Sequence, residues 1–484
     1  MKIMKIFIRA GQNCKSYIKK LINKESLEFI QHAKNYVSAR FFAKGLSFIS
    51  IPIFTRLLTP NDYGKVAIFT TMVSVFTILL KLNIHGSVTR YYYEETKDFE
   101  TFLGSNLIFI FLFNLGIVSI IYNLRESLSD VFEISSYIFI IAVLVSLFKI
   151  PLDIFLSYLQ ASKESKKYSF ISVAKSILIL GVAIIWTYLL MNNRYLGKMY
   201  SYLLVTFLIS LFGIYKLVKI ADFNFKLKHL KYSLGYGIPL IPHALSGFIL
   251  GYFDQIIINQ LTGSANTGLY SFAYKIGMII KIIISAMDKS WVPIFFEKMK
   301  NNAYDEINNL AYDYSNYICF IAICLIIFSQ EIVVIMADKS YYQSLSLIPI
   351  IVLGGILYFF YMLYNSYSFY RKRTHLISVA TLLAGVINIG LNYWLIPKFG
   401  YQIAAVTTLI SYFLLSIFHY ANVKFILKEK EIIPLIIIIP NFLVLIIIVG
   451  VYLLGYYNLN NYFNLITLKF ILISVAFYYF IFKE

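Results

Sequence analysis

Apolar runs of roughly 20 residues recur along the whole chain, separated by short polar or turn-forming pauses. An α-helix needs about 20 residues to cross a hydrocarbon core about 30 Å thick. The pattern therefore predicts about fourteen membrane-spanning helices, at residues 35–58, 65–89, 101–122, 134–159, 169–191, 196–220, 232–260, 267–295, 309–337, 345–370, 375–396, 401–426, 433–455 and 463–481. No connection between them is long enough to bury a core of its own, so the fold class is an all-α integral-membrane bundle.

The pauses carry their own information. In RLLTPNDYG (56–64), Thr59 and Pro60 are expected to stop helix 1, Asn61 or Asp62 to cap helix 2, and Gly64 to relieve the bend. The string ISVA occurs at 171–174 and again at 377–380, each time just after a basic loop, and LLTPNDYGKVAIF (57–69) pairs with QLTGSANTGLYSF (260–272) at nearly the same offset. Two coincident matches predict a six-helix duplication. Six is even, so the halves share one orientation, as in transporters with parallel repeats. The expected organisation is a basic N-terminal segment (1–34), an N-lobe (35–231), a C-lobe (232–428) and two further helices (429–484). Residues 1–34 read as an interfacial helix, with disorder as the alternative.

Composition agrees with the pattern: of 484 residues, 59% are apolar and 14% charged, against about a quarter charged in soluble proteins. The net charge of +19 does not signal nucleic acid, because the basic residues form no single patch interleaved with aromatics. They follow the membrane instead, with about 28 Lys and Arg on one side of the spans and about 8 on the other. This places SKESKK (162–167), FKLKHLK (225–231), RKR (371–373), KEKE (428–431) and both chain ends on the cytoplasmic face, and RLLTPNDYG on the outer face. Cys14, Cys319 and Cys324 have no metal-ligand spacing and read as structural thiols. With no phosphate-binding loop, metal cluster or nucleophile elbow, the reading is a non-enzyme without a cofactor.

Charges inside spans are costly and mark pathways or binding sites. They fall at Lys44, Lys81, Lys149, Asp153, Lys175, Asp254, Lys275, Lys281, Asp288 and Lys289. At 100° per residue, Thr70, Ser74, Thr77, Lys81 and His85 share one face of helix 2, and Ser146, Lys149, Asp153, Ser157 and Gln160 share one face of helix 4. These stripes predict a wet, positively charged cavity. Lys44, Lys81 and Lys281 are the leading contacts for an anionic substrate, with Arg56, Arg90 and His85 as further candidates; Asp254, Asp288 and Asp153 are candidates for coupling to a proton or sodium. Plainer readings stand beside these: Lys149 and Asp153 are spaced to neutralise each other, and Lys175, Lys275, Asp288 and Lys289 lie near enough to helix ends to snorkel. Pro239 and Pro242 in helix 7, with Pro52 and Pro151 in helices 1 and 4, permit bending.

FTRLLTPNDYGKVAIF (54–69), with Arg90–Tyr93 closing helix 2, and NIGLNYWLIPKFGYQIAAVTTLIS (388–411) resemble the Wzx-type O-antigen and polysaccharide flippases of the multidrug/oligosaccharidyl-lipid/polysaccharide (MOP) exporter superfamily. The resemblance implies a MATE-like fold in which helices 1, 2, 7 and 8 frame a central cavity. It also implies a substrate: undecaprenyl-pyrophosphate-linked oligosaccharide, moved across the bacterial cytoplasmic membrane for O-antigen, capsule or a related glycan. Membrane lipids, a glycan polymerase and assembly proteins are the partners it suggests. The alternatives are a flippase for the lipid-linked peptidoglycan precursor, a multidrug antiporter, and a membrane glycan polymerase. The lysine excess disfavours the antiporter, and the short outer loops disfavour the polymerase.

Overall fold

The structure is a computed structural model and describes residues 24–94, 96–429, 432–458 and 462–482. Among the described residues fourteen helices are long and apolar enough to cross a membrane: α1 (Lys34–Leu57), α2 (Pro60–Lys81), α3 (Phe99–Asn123), α4 (Ser136–Ala161), α5 (Ser165–Leu189), α6 (Tyr195–Ile220), α7 (Leu227–Thr262), α8 (Ser264–Lys300), α9 (Tyr304–Ile327), α10 (Lys339–Tyr370), α11 (Thr374–Phe399), α12 (Ile403–Ile426), α13 (Leu435–Tyr456) and α14 (Asn464–Phe482). The part of the 1–34 segment before residue 24 lies outside the described residues; from Lys24 the chain is already helical and runs unbroken into α1.

Packing repeats with a period of six helices. In the first half α1 packs on α5, α2 on α4, α4 on α6 and α5 on α6; in the second, α7 packs on α11, α8 on α10, α10 on α12 and α11 on α12. The turns repeat as well. After α4, Lys163 (φ 60°) ends the helix, with Glu164 N donating to Leu159 O at 2.8 Å; after α10, Lys372 (φ 58°) does the same, with Arg373 N donating to Ser368 O at 2.8 Å. Both are left-handed caps that satisfy the final carbonyls. The two halves form lobes, and α13 and α14 lie outside the repeat, packed on α9.

The face that carries the α1–α2 and α7–α8 turns is here the turn face, and the opposite one, bearing the 162–167 and 371–373 loops, the basic face. At the turn face α2 crosses the first half of α8 (Ser264–Gly277), and α7 also packs on α2, where Thr71 donates to Gln255 at 3.1 Å. Thr55 Oγ1 donates to Met336 O at 2.7 Å, and Tyr341 Oη to Leu58 O at 2.8 Å, tying α1 to the C-lobe at this end. Toward the basic face α8 is interrupted at Met278, and its second half (Ile279–Lys300) packs on α9 and α10, while α1 leans on α5. The lobes meet at the turn face, and at the basic face the start of α7 (Leu227–Gly237) packs on residues 84–94 and on α3.

Two local expectations change. Helix 2 begins at Pro60, not 65: Thr59 is the cap, its hydroxyl accepting from Asp62 N while the Asp62 carboxylate accepts from Thr59 N. This reciprocal box satisfies two otherwise orphaned donors, and proline at the first helical position loses nothing because its N–H would have no partner there. Helix 2 also ends at Lys81 rather than 89, because Leu82 (φ 50°) and Asn83 (φ 56°) turn left-handed before a separate helix, Ile84–Glu94.

Candidate functional site

In the C-lobe α7 brings Asp254 into the packing between α8, α11 and α12, where it is 1% exposed. Its carboxylate accepts from Tyr270 Oη at 2.7 Å, Asn392 Nδ2 at 2.7 Å and Thr408 Oγ1 at 2.5 Å. Around this, Thr407 Oγ1 donates to Asn392 Oδ1 at 2.5 Å, and Asn392 Nδ2 also reaches Asn388 Oδ1 at 3.2 Å. Among the described residues no Lys, Arg or His pairs with Asp254, so one carboxylate sits among neutral hydroxyls and amides. One negative charge ringed by side-chain oxygens suits a proton or a hard monovalent cation; the amides turn to present oxygen at little cost, since O and N occupy the same volume.

Lys281 and Asp288 lie two turns apart on the second half of α8. Lys281 Nζ donates to Tyr412 Oη and lies 4.1 Å from the Tyr412 ring centroid and 4.6 Å from that of Tyr358. The tyrosine faces hold the ammonium by cation–π attraction and leave its charge uncancelled. Asp288 is half-buried, and its charge reaches Tyr358 and Tyr361 of α10.

The N-lobe corrects the sequence reading. Lys81 pairs with Asp153 of α4 at 2.8 Å, an inter-helix bridge rather than the Lys149–Asp153 pair that helical spacing suggested. Lys149 and Lys175 are further cations whose charge reaches Asp153, so the cluster stays net positive. The stripe from Thr70 to His85 is broken by the Leu82–Asn83 turn, and His85 stands on the next helix, half-buried. Arg90 is on that same short helix, exposed and paired with Glu94 at 2.6 Å. Lys44 is exposed on α1 beside Gly45, around which there is open space. Arg56 donates to Pro52 O at 2.8 Å and across the lobes to Ile335 O at 2.9 Å.

One pair of cations is not legible as a pair in the sequence, where Lys275 reads as an intramembrane lysine near a helix end and Lys198 does not stand out. Lys275 Nζ donates to Tyr63 Oη at 2.8 Å and lies 4.4 Å from its ring centroid; Lys198 of α6 lies 5.7 Å from the same ring and 4.0 Å from that of Phe54. Two lysines therefore flank Tyr63 where the lobes meet, and no carboxylate among the described residues pairs with either. Lys198 is in the first turn of α6 and Lys275 near the interruption of α8, positions that read as helix ends in the sequence; only the tertiary fold brings them together.

A bundle of fourteen apolar helices, twelve of them in two lobes of repeated packing, is the architecture of a membrane transporter. The chain belongs to the polysaccharide biosynthesis protein family, whose model matches residues 31–299. Among its relatives, the Lsg locus putative protein 1 of Haemophilus influenzae is 26% identical over 360 residues, 73% of this chain and 87% of that protein. The succinoglycan biosynthesis transport protein ExoT of Rhizobium meliloti is 21% identical over 53% of this chain and 51% of its own. Among solved structures, the lipid II flippase MurJ in its inward closed conformation superposes with a TM-score of 0.71 at 17% identity, over 93% of this chain and 99% of that one. An inward-facing multidrug resistance MATE transporter of the MOP superfamily gives 0.66 at 16% identity, over 80% and 96%. The fold is that of this superfamily, as the resemblance implied, and the chain is a multi-pass membrane protein.

Proposed function

We propose that this protein is a flippase that carries a polyprenyl-pyrophosphate-linked oligosaccharide, such as an O-antigen or capsule unit on undecaprenyl pyrophosphate, from the inner to the outer leaflet of the cytoplasmic membrane. The observation that carries this reading is a set of cations on both lobes that pair with no carboxylate among the described residues, Lys44 and Lys198 on one and Lys275 and Lys281 on the other. An anionic head group spanning the interface satisfies both sides at once, and a multidrug cation does not. The excess of Lys and Arg on the basic face supports a cytoplasmic placement of that face, and in this reading the turn face is the outer one.

Export of an anion from an inside-negative cell gains about 2.3 kcal/mol per charge per 100 mV. In this reading that gain helps drive the outward step, and ion exchange at Asp254 biases the return. The family and the transporter folds of the solved structures it resembles support transport rather than catalysis.

The test is leaflet-resolved detection of the lipid-linked unit in cells lacking the protein and in cells with Lys44→Ala, Lys275→Ala or Lys281→Ala variants at matched expression. Build-up on the inner leaflet in both supports the reading; normal arrival at the outer leaflet in the deletion overturns it. If the accumulating species is instead the peptidoglycan precursor, the mechanism stands and the cargo is reassigned.

A further inference from the structure

We infer that the groove between the outer halves of α1 and α5 is a docking site for the carrier lipid itself, its polyprenyl chain lying in the groove and its phosphate on Arg56 and Arg194. The inference rests on the flippase reading for orientation and ligand class.

The two helices touch at their inner ends, where Asn35 donates to Ser165 at 3.0 Å and Tyr36 meets Tyr168 edge to face. At the outer ends, beside Pro52 of α1, they leave a groove of about 560 Å³ between Ile53 and Leu57 on one side and Ile184, Tyr188 and Leu189 on the other. The α5 wall is open on its outer side: Tyr188 and Leu189 are 69% and 65% exposed. An apolar channel in this position accepts a hydrocarbon chain.

Two arginines stand by one end of this apolar groove. Arg56 lines it, and its guanidinium spends one N–H on Pro52 O and another on Ile335 O. A guanidinium has five N–H donors, so three are left over, and no carboxylate among the described residues pairs with it. Arg194 reaches the same helix end, donating to Leu57 O at 3.3 Å. Two guanidinia above an apolar slot form the complement of a phosphate with a long chain, because arginine offers the planar fork that phosphate oxygens accept.

The Arg56 contact to Ile335 O also crosses between lobes. A phosphate that recruits this N–H competes with a contact holding the turn face closed. Docking of the carrier at α1–α5 would therefore loosen the outer seal, and the groove becomes the place where the lipid is held as its head group leaves.

The test uses full-length protein in nanodiscs with a photo-reactive phenylalanine analogue at Tyr188, and the same analogue at the exposed Phe470 on α14 as a control outside the groove. The probe is undecaprenyl phosphate, competed with phosphatidylglycerol or with undecaprenol. Crosslinking at position 188 but not 470, resistant to a tenfold excess of either competitor and reduced at least fivefold by Arg56→Gln with Arg194→Gln, supports the site. Equal competition by phosphatidylglycerol, or a yield unchanged in the double variant, overturns it. Arg56→Lys, which keeps the charge, retains part of the yield if the arginine acts on the ligand; thermal unfolding of each variant confirms that the fold is intact. Capture is read without transport, so binding in the absence of flipping would sink the flippase reading alone, and flipping without capture would sink this inference alone.

Discussion

Gly64 and Gly268 lie in reciprocal contact across the two lobes. A Cβ on Gly64 would stand 1.8 Å from the carbonyl oxygen of Ser264, and one on Gly268 would stand 1.9 Å from that of Pro60. Each glycine meets the residue four positions before its counterpart, so the contact has the local two-fold symmetry expected of a duplicated interface. Backbone on both sides cannot yield as a side chain can. Gly64→Ala or Gly268→Ala should push α2 and α8 apart at the turn face, at about 1–3 kcal/mol as for other overpacked sites. The check is labelling of a cysteine placed at Thr70 by a membrane-impermeant thiol reagent from the outer side, which should rise severalfold; an unchanged rate would mean the seal lies elsewhere.

The Lys81–Asp153 bridge separates a structural role from a substrate-binding one. Its side chains are only 14% and 21% exposed, so Lys81→Ala or Asp153→Asn should cost a few kcal/mol, of the order of 3–5 for a fully buried pair, by leaving one charge unpaired. The exchange Lys81→Asp with Asp153→Lys keeps the pair and reverses it. If the bridge only holds α2 to α4, expression and glycan export both recover. If Lys81 also contacts substrate, stability recovers and export does not.

Much of the fold was legible because a membrane demands long apolar helices, and their number and six-helix period can be counted in the sequence. Local chemistry was less so. Gly64 read as a residue that relieves a bend, whereas it lies inside α2 and is needed for a contact with a helix some two hundred residues away. Asp153 read as the partner of Lys149 because spacing sees only its own helix; the real partner is 72 positions distant. Asp254 stood out as a charge among apolar residues, yet Asn388, Asn392 and Thr408 did not, since amides and hydroxyls are common in every span. The end of α2 at Leu82–Asn83 has neither Gly nor Pro to announce it, and that hidden break removed His85 from the stripe.

On the basic face, Asp98 joins the inter-lobe connection to the N-lobe. Its carboxylate lies 2.8 Å from Lys228 Nζ, 3.2 Å from Lys226 Nζ and 3.2 Å from His229 Nε2. The hydrogen bond from Lys228, with help from Lys226, holds the Asp98 carboxyl down to about 2. A depressed pKa contributes stability above the unfolded value of about 3.9 and loses it as pH falls through the folded value. Its contribution is therefore constant from pH 8 to 5 and fades only between about 4 and 2. Asp98→Asn should speed amide exchange in residues 227–237 severalfold at neutral pH, measured by hydrogen–deuterium exchange, while the wild type, corrected for intrinsic rates, shows no Asp98-linked change down to pH 5.

If transport is coupled to an ion at Asp254, as proposed, the cluster offers a way to tell a proton from a sodium ion. A proton needs only the carboxylate, while sodium needs several oxygens at once, because a hard cation released from water must recover its ligands from the protein. Asp254→Asn removes the charge and should abolish the response of transport to either gradient, read in proteoliposomes with each gradient applied separately. Thr408→Val keeps the shape and removes one hydroxyl. If sodium is the ion, this should weaken the sodium dependence by about tenfold, the equivalent of roughly 1.4 kcal/mol for one lost ligand, with little effect of a pH gradient. If the proton is the ion, the same variant leaves a proton-driven rate within about twofold of wild type, because the carboxylate still receives Tyr270 and Asn392. A Thr408→Val protein that lost both responses equally would show that the hydroxyl holds the packing of α7 against α12, and the ion site would then have to be sought at Asp288.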